Sequence, residues 1–417
     1  MSSVLVAHKH RVYPKLWQGR LLKSHLATLC TLYNALRDLK MDVWKRRHVS
    51  LELDDLRQIA LEKRRNDRDL QGIHSQVVQH VAARVYRAFK NYFEGRARFP
   101  KHKKLKKYRS LTYPQSGFKL CGEVVEKGKR TEVKGTLYLS KIGYVRIFMH
   151  RPLRGVIKNL TVKYDAGEWY AIFICETPDK PKKPIREITD DRVEGGDLGL
   201  LQFLTLSEDS LPNYTKFLRK TEDKTKRLQR VLSRAKKGSH NFRKLALRLA
   251  RLHHHVACQR ENYQNQTVAS LYKKNDLVIL EKMHVESLLK NHNLAKSIQD
   301  AAFGKFIGKA QFKAEQLGKY FIQVDPWGTT QFCWKCITWV PKDLGDREHI
   351  CPNCGEKLPR DKNSAKLIKK LGLHHLSSLR LDYAPGRGVK TPAEPEPLPT
   401  LHGLASRNLE AGSPSLK

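Results

Sequence analysis

Two C-x-x-C pairs, Cys333-Trp-Lys-Cys336 and Cys351-Pro-Asn-Cys354, stand fourteen residues apart in the later part of this 417-residue chain. Two cysteines at that spacing bend back onto one tetrahedral ion, and two such pairs saturate zinc with four thiolates. Without a metal, so small and polar a stretch would have almost no core to fold on. The spacing therefore predicts a structural Zn2+ held by Cys333, Cys336, Cys351 and Cys354. A closed four-thiolate site leaves no coordination position for a substrate. The remaining cysteines, Cys30, Cys121, Cys175 and Cys258, are scattered singly in apolar or helical contexts, and are expected to be reduced core thiols.

Charge sets the class of partner. Lys and Arg number 80 against 41 Asp and Glu, a formal +39. Apolar residues at 40%, with 15 Tyr, 14 Phe and 6 Trp, suffice for real cores, which excludes global disorder. Densely basic surface repels itself unless polyanion lies against it, and each phosphate contacted releases condensed counterions. Nucleic acid is the expected partner. An anionic membrane would call for a basic amphipathic helix or a lipidation signal, and the opening residues MSSVLVAHKHRVYP offer neither. Val4–Ala7 is too short for a signal-peptide core, and no run approaches the ~18 apolar residues of a membrane span. The expectation is a soluble, cytoplasmic chain with no membrane contact.

The pattern along the chain is α+β. Val4 to Tyr13 reads as a strand. Leu22, Leu26, Leu29, Tyr33 and Leu36 make one helical face, a second helical stretch lies near Leu51–Glu62, and a third carries Val78, Val81, Val85, Ala88 and Phe89. Then Arg96, Arg98, Lys101, Lys103, Lys104, Lys106, Lys107 and Arg109 follow without an acid, with Phe99 and Tyr108 interleaved and Tyr113 close behind. Cations alternating with aromatics suit a nucleic-acid surface, neutralising phosphates and offering stacking planes. Strand signals fill 117–178, including a hairpin turning at Asp165-Ala-Gly167-Glu, and a Pro/Lys-rich linker follows to Pro184. Residues 215–265 read as a basic antiparallel helical hairpin, broken at Gly238, with Arg227, Arg230, Arg234, Lys236 and Lys237 as candidate phosphate contacts. His253-His254-His255 points around a helix and reads as a solvated run. From about Leu381 the chain turns rich in Pro, Gly and Ser, as a disordered tail would.

The candidate chemistry lies in acids. Asp197 sits between Gly196 and Gly199, small neighbours that would let a ligand approach the backbone. Glu281 ends the apolar strand Leu277–Leu280, and Asp361 heads a helix. Any one of these would be unremarkable as a cap or an edge charge. Three converging carboxylates would prefer Mg2+ or Mn2+, and in a chain this basic the implied reaction is phosphodiester hydrolysis.

Gly196-Asp197-Leu-Gly199-Leu, Leu280-Glu281-Lys-Met-His-Val, the double C-x-x-C and Arg360-Asp361-Lys-Asn363-Ser-Ala365 resemble, in order and spacing, the split RuvC-like nuclease of the TnpB family. Tyr13-Pro14, Leu32-Tyr33-Asn34, Ser75-Gln76-Val77-Val78 and Phe99-Pro100-Lys101 extend the resemblance to residues 8–372. TnpB proteins are transposon-encoded RNA-guided DNA endonucleases related to type V CRISPR effectors. The chain departs from the family pattern at Leu358-Pro359, where an acid commonly leads the last motif, at Ser364 in place of alanine, and at Ile337, where glycine commonly follows the first knuckle.

The resemblance implies a β-barrel wedge domain from residues 1–19 and 117–185, with a helical recognition domain at 20–116 inserted in it. It implies an RNase H-like (RuvC) nuclease domain at 186–327 and 358–380, a zinc-ribbon-like target-nucleic-acid-binding insertion at 328–357, and a variable tail at 381–417. By motif position Asp197, Glu281 and Asp361 would be the catalytic, Mg2+-binding triad. The implied partners are a guide RNA from the element's end and double-stranded target DNA bearing a short adjacent motif, in a bacterial or archaeal cytoplasm at the nucleoid. In such effectors the protein reads the short motif and base pairing reads the rest. The alternative is a guide-dependent DNA-binding repressor of the same fold. It would be expected to have lost an acid, and all three stand. A transposase proper, with two histidines around an apolar residue and a tyrosine nucleophile, fits less well, because His8-Lys-His10 has lysine between.

Overall fold

Tertiary packing divides the chain into two units between Pro178 and Asp179. The structure, a computed structural model, describes residues 3–127, 130–208, 216–343 and 345–381. The tail expected from 381 therefore lies, from residue 382, outside the described residues.

The first unit begins with β1 (Ser3–Tyr13), followed by helices α1 (Leu16–Arg47), α2 (Leu53–Asn66), α3 (Arg68–Gln71) and α4 (Ser75–Phe93). Six strands complete it: β2 (Ser110–Tyr113), β3 (Phe118–Lys127), β4 (Arg130–Leu139), β5 (Gly143–Met149), β6 (Val156–Asp165) and β7 (Glu168–Pro178). The strands form one antiparallel sheet in the order β2-β6-β7-β1-β5-β4-β3. Among the described residues β2 and β3 remain its two edges, so the expected barrel is a sheet not closed by a last ladder. The β6–β7 turn falls where the sequence placed it. Asp165 pairs with Glu168 around Ala166 and Gly167, both at positive φ, the primed turn that matches strand twist.

Leu22, Leu26, Leu29, Tyr33 and Leu36 of α1 and Val78, Val81, Val85 and Phe89 of α4 are buried in the same cluster as Leu111, Leu137, Ile147, Leu160 and Phe173 of the sheet. Helices and sheet of this unit thus share one core. Tyr108 and Tyr113 belong to it as well, at 3% and 2% exposure. Burial pushes the Tyr108 hydroxyl up to about 12 and Tyr113 higher still. Neither presents a face to a base, which corrects their assignment as nucleic-acid contacts. Tyr108, in the loop just before β2, and Tyr113, at the end of β2, both pack their rings into the main core. His8 and His10 also face this core from β1, with His10 lowered to about 4 by burial and neighbouring positive charge.

In the second unit β8 (Val193–Asp197) and β9 (Thr205–Leu206) precede three helices, α5 (Phe217–Lys220), α6 (Glu222–Arg234) and α7 (His240–Lys274). Then come β10 (Leu277–Glu281), α8 (Val285–Leu289), α9 (His292–Ala301), α10 (Phe303–Leu317), β11 (Tyr320–Val324), β12 (Glu348–Ile350), β13 (Lys357–Pro359) and α11 (Arg360–Leu381). The sheet order is β11-β10-β8-β9, with the first three strands parallel. Along β10, Val278 and Leu280 join one core with Phe203, Phe303 and Phe306. Leu277 and Ile279 join another with Leu367, Ile368 and Leu371 of α11. Burial on both faces is why this strand reads as an unbroken apolar run.

The basic hairpin forms as α6 and α7, but α7 continues to Lys274, well past the expected end. Its outer part is thinly buried: Leu245, Leu249 and Leu252 are half-buried, and Val231 of α6 is 47% exposed. Cys258 on α7 is exposed and Cys121 half-buried, whereas Cys30 and Cys175 are core thiols as expected. No helix among the described residues is long and apolar enough to cross a membrane.

Candidate active site and metal centre

Parallel register brings the acids together. Leu280 pairs with Gly196, so the next residues, Glu281 and Asp197, stand level at the carboxyl ends of neighbouring strands. That end of a parallel sheet is where α/β folds place ligands. Asp361 arrives in the first turn of α11, and α11 lies against β8 at Gly195. A Cβ on Gly195 would sit 2.4 Å from the Ala365 carbonyl oxygen and 2.6 Å from Lys369 Cβ. A Cβ on Gly196 would meet Leu204 at 2.7 Å and Leu280 at 2.8 Å. A Cβ on Gly199 would lie 2.9 Å from the Gln202 carbonyl oxygen, so Gly196 and Gly199 serve close packing, which corrects their reading as room for a ligand.

The three carboxylates are electrostatically linked. Burial raises the Asp197 carboxyl well above the usual carboxylate range, and the charges of Glu281 and Asp361 raise it further, against the opposing pull of Arg360. Burial lifts Glu281 to about 7, and the Thr329 hydroxyl, 3.4 Å from Oε2, opposes it. Asp361 accepts a hydrogen bond from Arg360 Nε at 3.3 Å. Like charges held together in low dielectric demand protons or a cation. An all-oxygen donor set of this kind fits a hard divalent ion rather than zinc.

Two buried polar side chains support the site, Glu194 with no sequence signal and Asn363 as part of the last motif. Glu194, beside Gly195 on β8, is satisfied inside the fold by Ser207 Oγ at 2.5 Å and the Glu208 amide at 3.1 Å. Asn363 is fully buried, donating to the Phe332 carbonyl at 2.7 Å and accepting from the Trp334 amide at 3.0 Å. The motif marks Asn363 but not what it holds, and nothing marks Glu194, because each role depends on a partner far away in the chain.

The four cysteines converge as expected. Cys333 Sγ lies 3.7 Å from Cys354 Sγ, and Cys336 Sγ lies 3.5 Å from Cys351 Sγ. The edge of a tetrahedron with Zn–S of ~2.3 Å is about 3.8 Å, so the cage has the size of that ion. Two matched turns build it: the Ile337 amide donates to the Cys333 carbonyl and the Gly355 amide to the Cys351 carbonyl. Among the described residues this quartet is the one group whose ligand atoms all lie within 4.8 Å of one another. The carboxylates are spaced more widely than one ion's cage. Ile337 follows the first knuckle at φ 59°, the left-handed conformation that explains why glycine suits the position.

The expected phosphate-contacting cations are all exposed. These are Arg96, Arg98, Lys101, Lys103, Lys104, Lys106, Lys107 and Arg109 in the first unit, and Arg227, Arg230, Arg234, Lys236 and Lys237 on the hairpin. Arg96 also pairs with Glu94, and Arg109 with Asp165.

Comparison with known proteins agrees with this arrangement. The family model OrfB_IS605, described as "Probable transposase", matches residues 176–292. The model for the Cas12f1-like TNB domain matches residues 303–368. A Streptomyces pristinaespiralis protein named "Putative RNA-guided DNA endonuclease" is 28% identical over 382 residues, 89% of this chain and 90% of its own. The Escherichia coli K12 protein named "Putative RNA-guided DNA endonuclease InsQ" is 28% identical over 314 residues, 72% of this chain and 74% of its own. The cryo-EM structure of a Cas12f1-sgRNA-target DNA complex shares the fold at a TM-score of 0.56 and 12% identity, covering 88% of this chain and 99% of that one. Sequence relatives over most of the length, two matched segments that between them hold every candidate acid and knuckle cysteine, and a common mixed α/β fold together support a TnpB-family protein.

Proposed function

We propose that this protein is an RNA-guided DNA endonuclease that hydrolyses phosphodiesters at Asp197, Glu281 and Asp361 with Mg2+ or Mn2+. The observation that carries the reading is geometric: parallel register sets Asp197 and Glu281 level at the carboxyl ends of β8 and β10, where burial, and then the charges of Glu281 and Asp361, raise the Asp197 carboxyl. Divalent ions bound there would polarise the phosphoryl oxygens and activate water. The chain's own part is positional. β8 and β10 fix two carboxylates by backbone register, α11 carries the third, and Arg360 and Thr329 orient the set. The names of the curated relatives support guide-RNA and DNA partners for this chain.

In this reading the second unit is a RuvC-like, RNase H-like nuclease domain, with the knuckles at 328–357 as a zinc-ribbon-like insertion. The first unit combines wedge and recognition functions and reads the short duplex motif beside the target. The cations of 96–109 and of the hairpin position polyanions without choosing sequence. All three acids standing favours cleavage over a repressor that only binds.

The test is cleavage by the purified chain with co-expressed flanking RNA, on plasmids bearing randomised bases beside a guide match. Breaks should appear next to one enriched motif, vanish on chelation of Mg2+, and vanish with Asp197→Ala. Cleavage that survives Asp197→Ala would refute the assignment.

A further inference from the structure

With Tyr108 and Tyr113 buried, Phe99 is the interleaved aromatic left exposed in the basic segment, and it belongs to an aromatic group at the segment's entrance. Phe93, the last residue of α4, is 75% exposed, with Tyr92 and Phe99 each 39% exposed. They touch one another: Tyr92–Phe93 centroids are 5.4 Å apart and Tyr92–Phe99 5.2 Å, the latter edge-to-face. Phe99 in turn packs edge-on against Phe89, which is 5% exposed and part of the main core. The shelf is thus anchored from beneath and open above.

The backbone holds it too. Gly95 turns the chain at φ 69°, and the amides of Arg96 and Ala97 both donate to the Asn91 carbonyl. Arg37 lies 5.9 Å from the Phe99 ring, and Lys90, Arg96, Arg98 and Lys101 flank the group in sequence, all exposed.

We infer that Tyr92, Phe93 and Phe99 form a stacking platform for an unpaired nucleobase, with the surrounding cations taking the adjoining phosphates. Exposing a phenylalanine to this degree among cations is unfavourable for a second copy of the chain, which would bring the same positive charge. It is favourable for a strand that brings a π-face and a phosphate at each nucleotide. Unpaired bases occur in folded RNA and in single-stranded DNA, and either would supply this chemistry. The inference rests on the nucleic-acid-binding reading proposed above.

The experiment uses the full chain and three probes of one sequence: single-stranded RNA, single-stranded DNA and duplex DNA, each carrying one 2-aminopurine. Phe93→Ala should weaken single-strand binding about ten- to a hundredfold and relieve 2-aminopurine quenching, with an unchanged salt slope. Phe93→Trp should restore both, and Phe93→Leu, equally apolar but without a π-face, should not. Lys101→Ala should instead lower the salt slope by about one. The stronger single-strand arm identifies the source. Equal binding by wild type and Phe93→Ala, rescue by leucine, or a dimer lost on Phe93→Ala would overturn the platform. Wild type that binds none of the probes would overturn the nucleic-acid reading with it.

Discussion

Asn363 holds the backbone around Trp334 from both sides, accepting from the Trp334 amide and donating to the carbonyl of Phe332. One side chain thereby ties the first cysteine knuckle to the turn of α11 that carries Asp361. A cysteine cluster that could hold a structural metal is thereby joined to the acid cluster.

Removing that tie should be felt at both ends. Asn363→Ala leaves a buried carbonyl and a buried amide unsatisfied, a cost of about 2–4 kcal/mol. Thermal unfolding should show a lower midpoint, and plasmid cleavage should fall while zinc content stays at one per chain.

Metal loss acts in the opposite direction along the same connection. Cys333→Ser, or prolonged chelation, should reduce bound zinc sharply by atomic absorption and expose residues 328–357 to protease. Unchanged stoichiometry in Cys333→Ser would exclude the four-thiolate site.

Gly195 governs how closely α11 approaches β8. In Gly195→Ala the new methyl meets backbone and the root of a side chain, Ala365 O at 2.4 Å and Lys369 Cβ at 2.6 Å, rather than a flexible tip. The helix must move. A loss of about 1–3 kcal/mol in denaturant unfolding is expected, with a disproportionate loss of cleavage because Asp361 moves with the helix.

Ile337 sets two effects against each other. Its left-handed backbone costs about 1–2 kcal/mol relative to glycine. Its side chain, 9% exposed in the cluster with Phe332, Leu367 and Ile368, contributes about 2–4 kcal/mol on truncation. Burial outweighs backbone strain, so Ile337→Gly should destabilise the protein by about 1–2 kcal/mol in denaturant unfolding. A stabilised variant would show that strain dominates.

Acid stability should depend on Asp276, just before β10. Burial pushes its carboxyl up, but hydrogen bonds and charge from Arg192 and Lys319 outweigh it and hold it at about 2. Its folded value lies below the ordinary one near 3.9, so its contribution is full above about pH 4 and is lost as pH falls towards 2. About 2 kcal/mol is at stake. Asp276→Asn should be less stable at pH 6 and should show a flatter loss of stability between pH 5 and 3.

Much of this was legible in the chain because the signals were local. The knuckles declare themselves by spacing, β10 by its consecutive buried-type residues, and the β6–β7 turn by Ala166-Gly167. What escaped depended on distant partners. Nothing in the sequence near Gly195 says that a helix beginning 165 residues later will press on it. Likewise Tyr108 and Phe93 are both aromatic residues beside cations, and only the core that the loop before β2 folds against and the helix end that carries Phe93 decide which is buried. The expected ends of α7 and the closure of the first sheet failed for the same reason.

The parallel register of β8 and β10, with α11 across them, also has a consequence in time. The acids come from positions 197, 281 and 361, and the chain is made from its N-terminus. On the proposed mechanism, a nascent polypeptide holding the entire first unit and two of the three carboxylates would still be unable to cut. Competence would arrive only when α11 emerges from the ribosome, so a chain abandoned before that point would be a harmless fragment rather than an unguided nuclease.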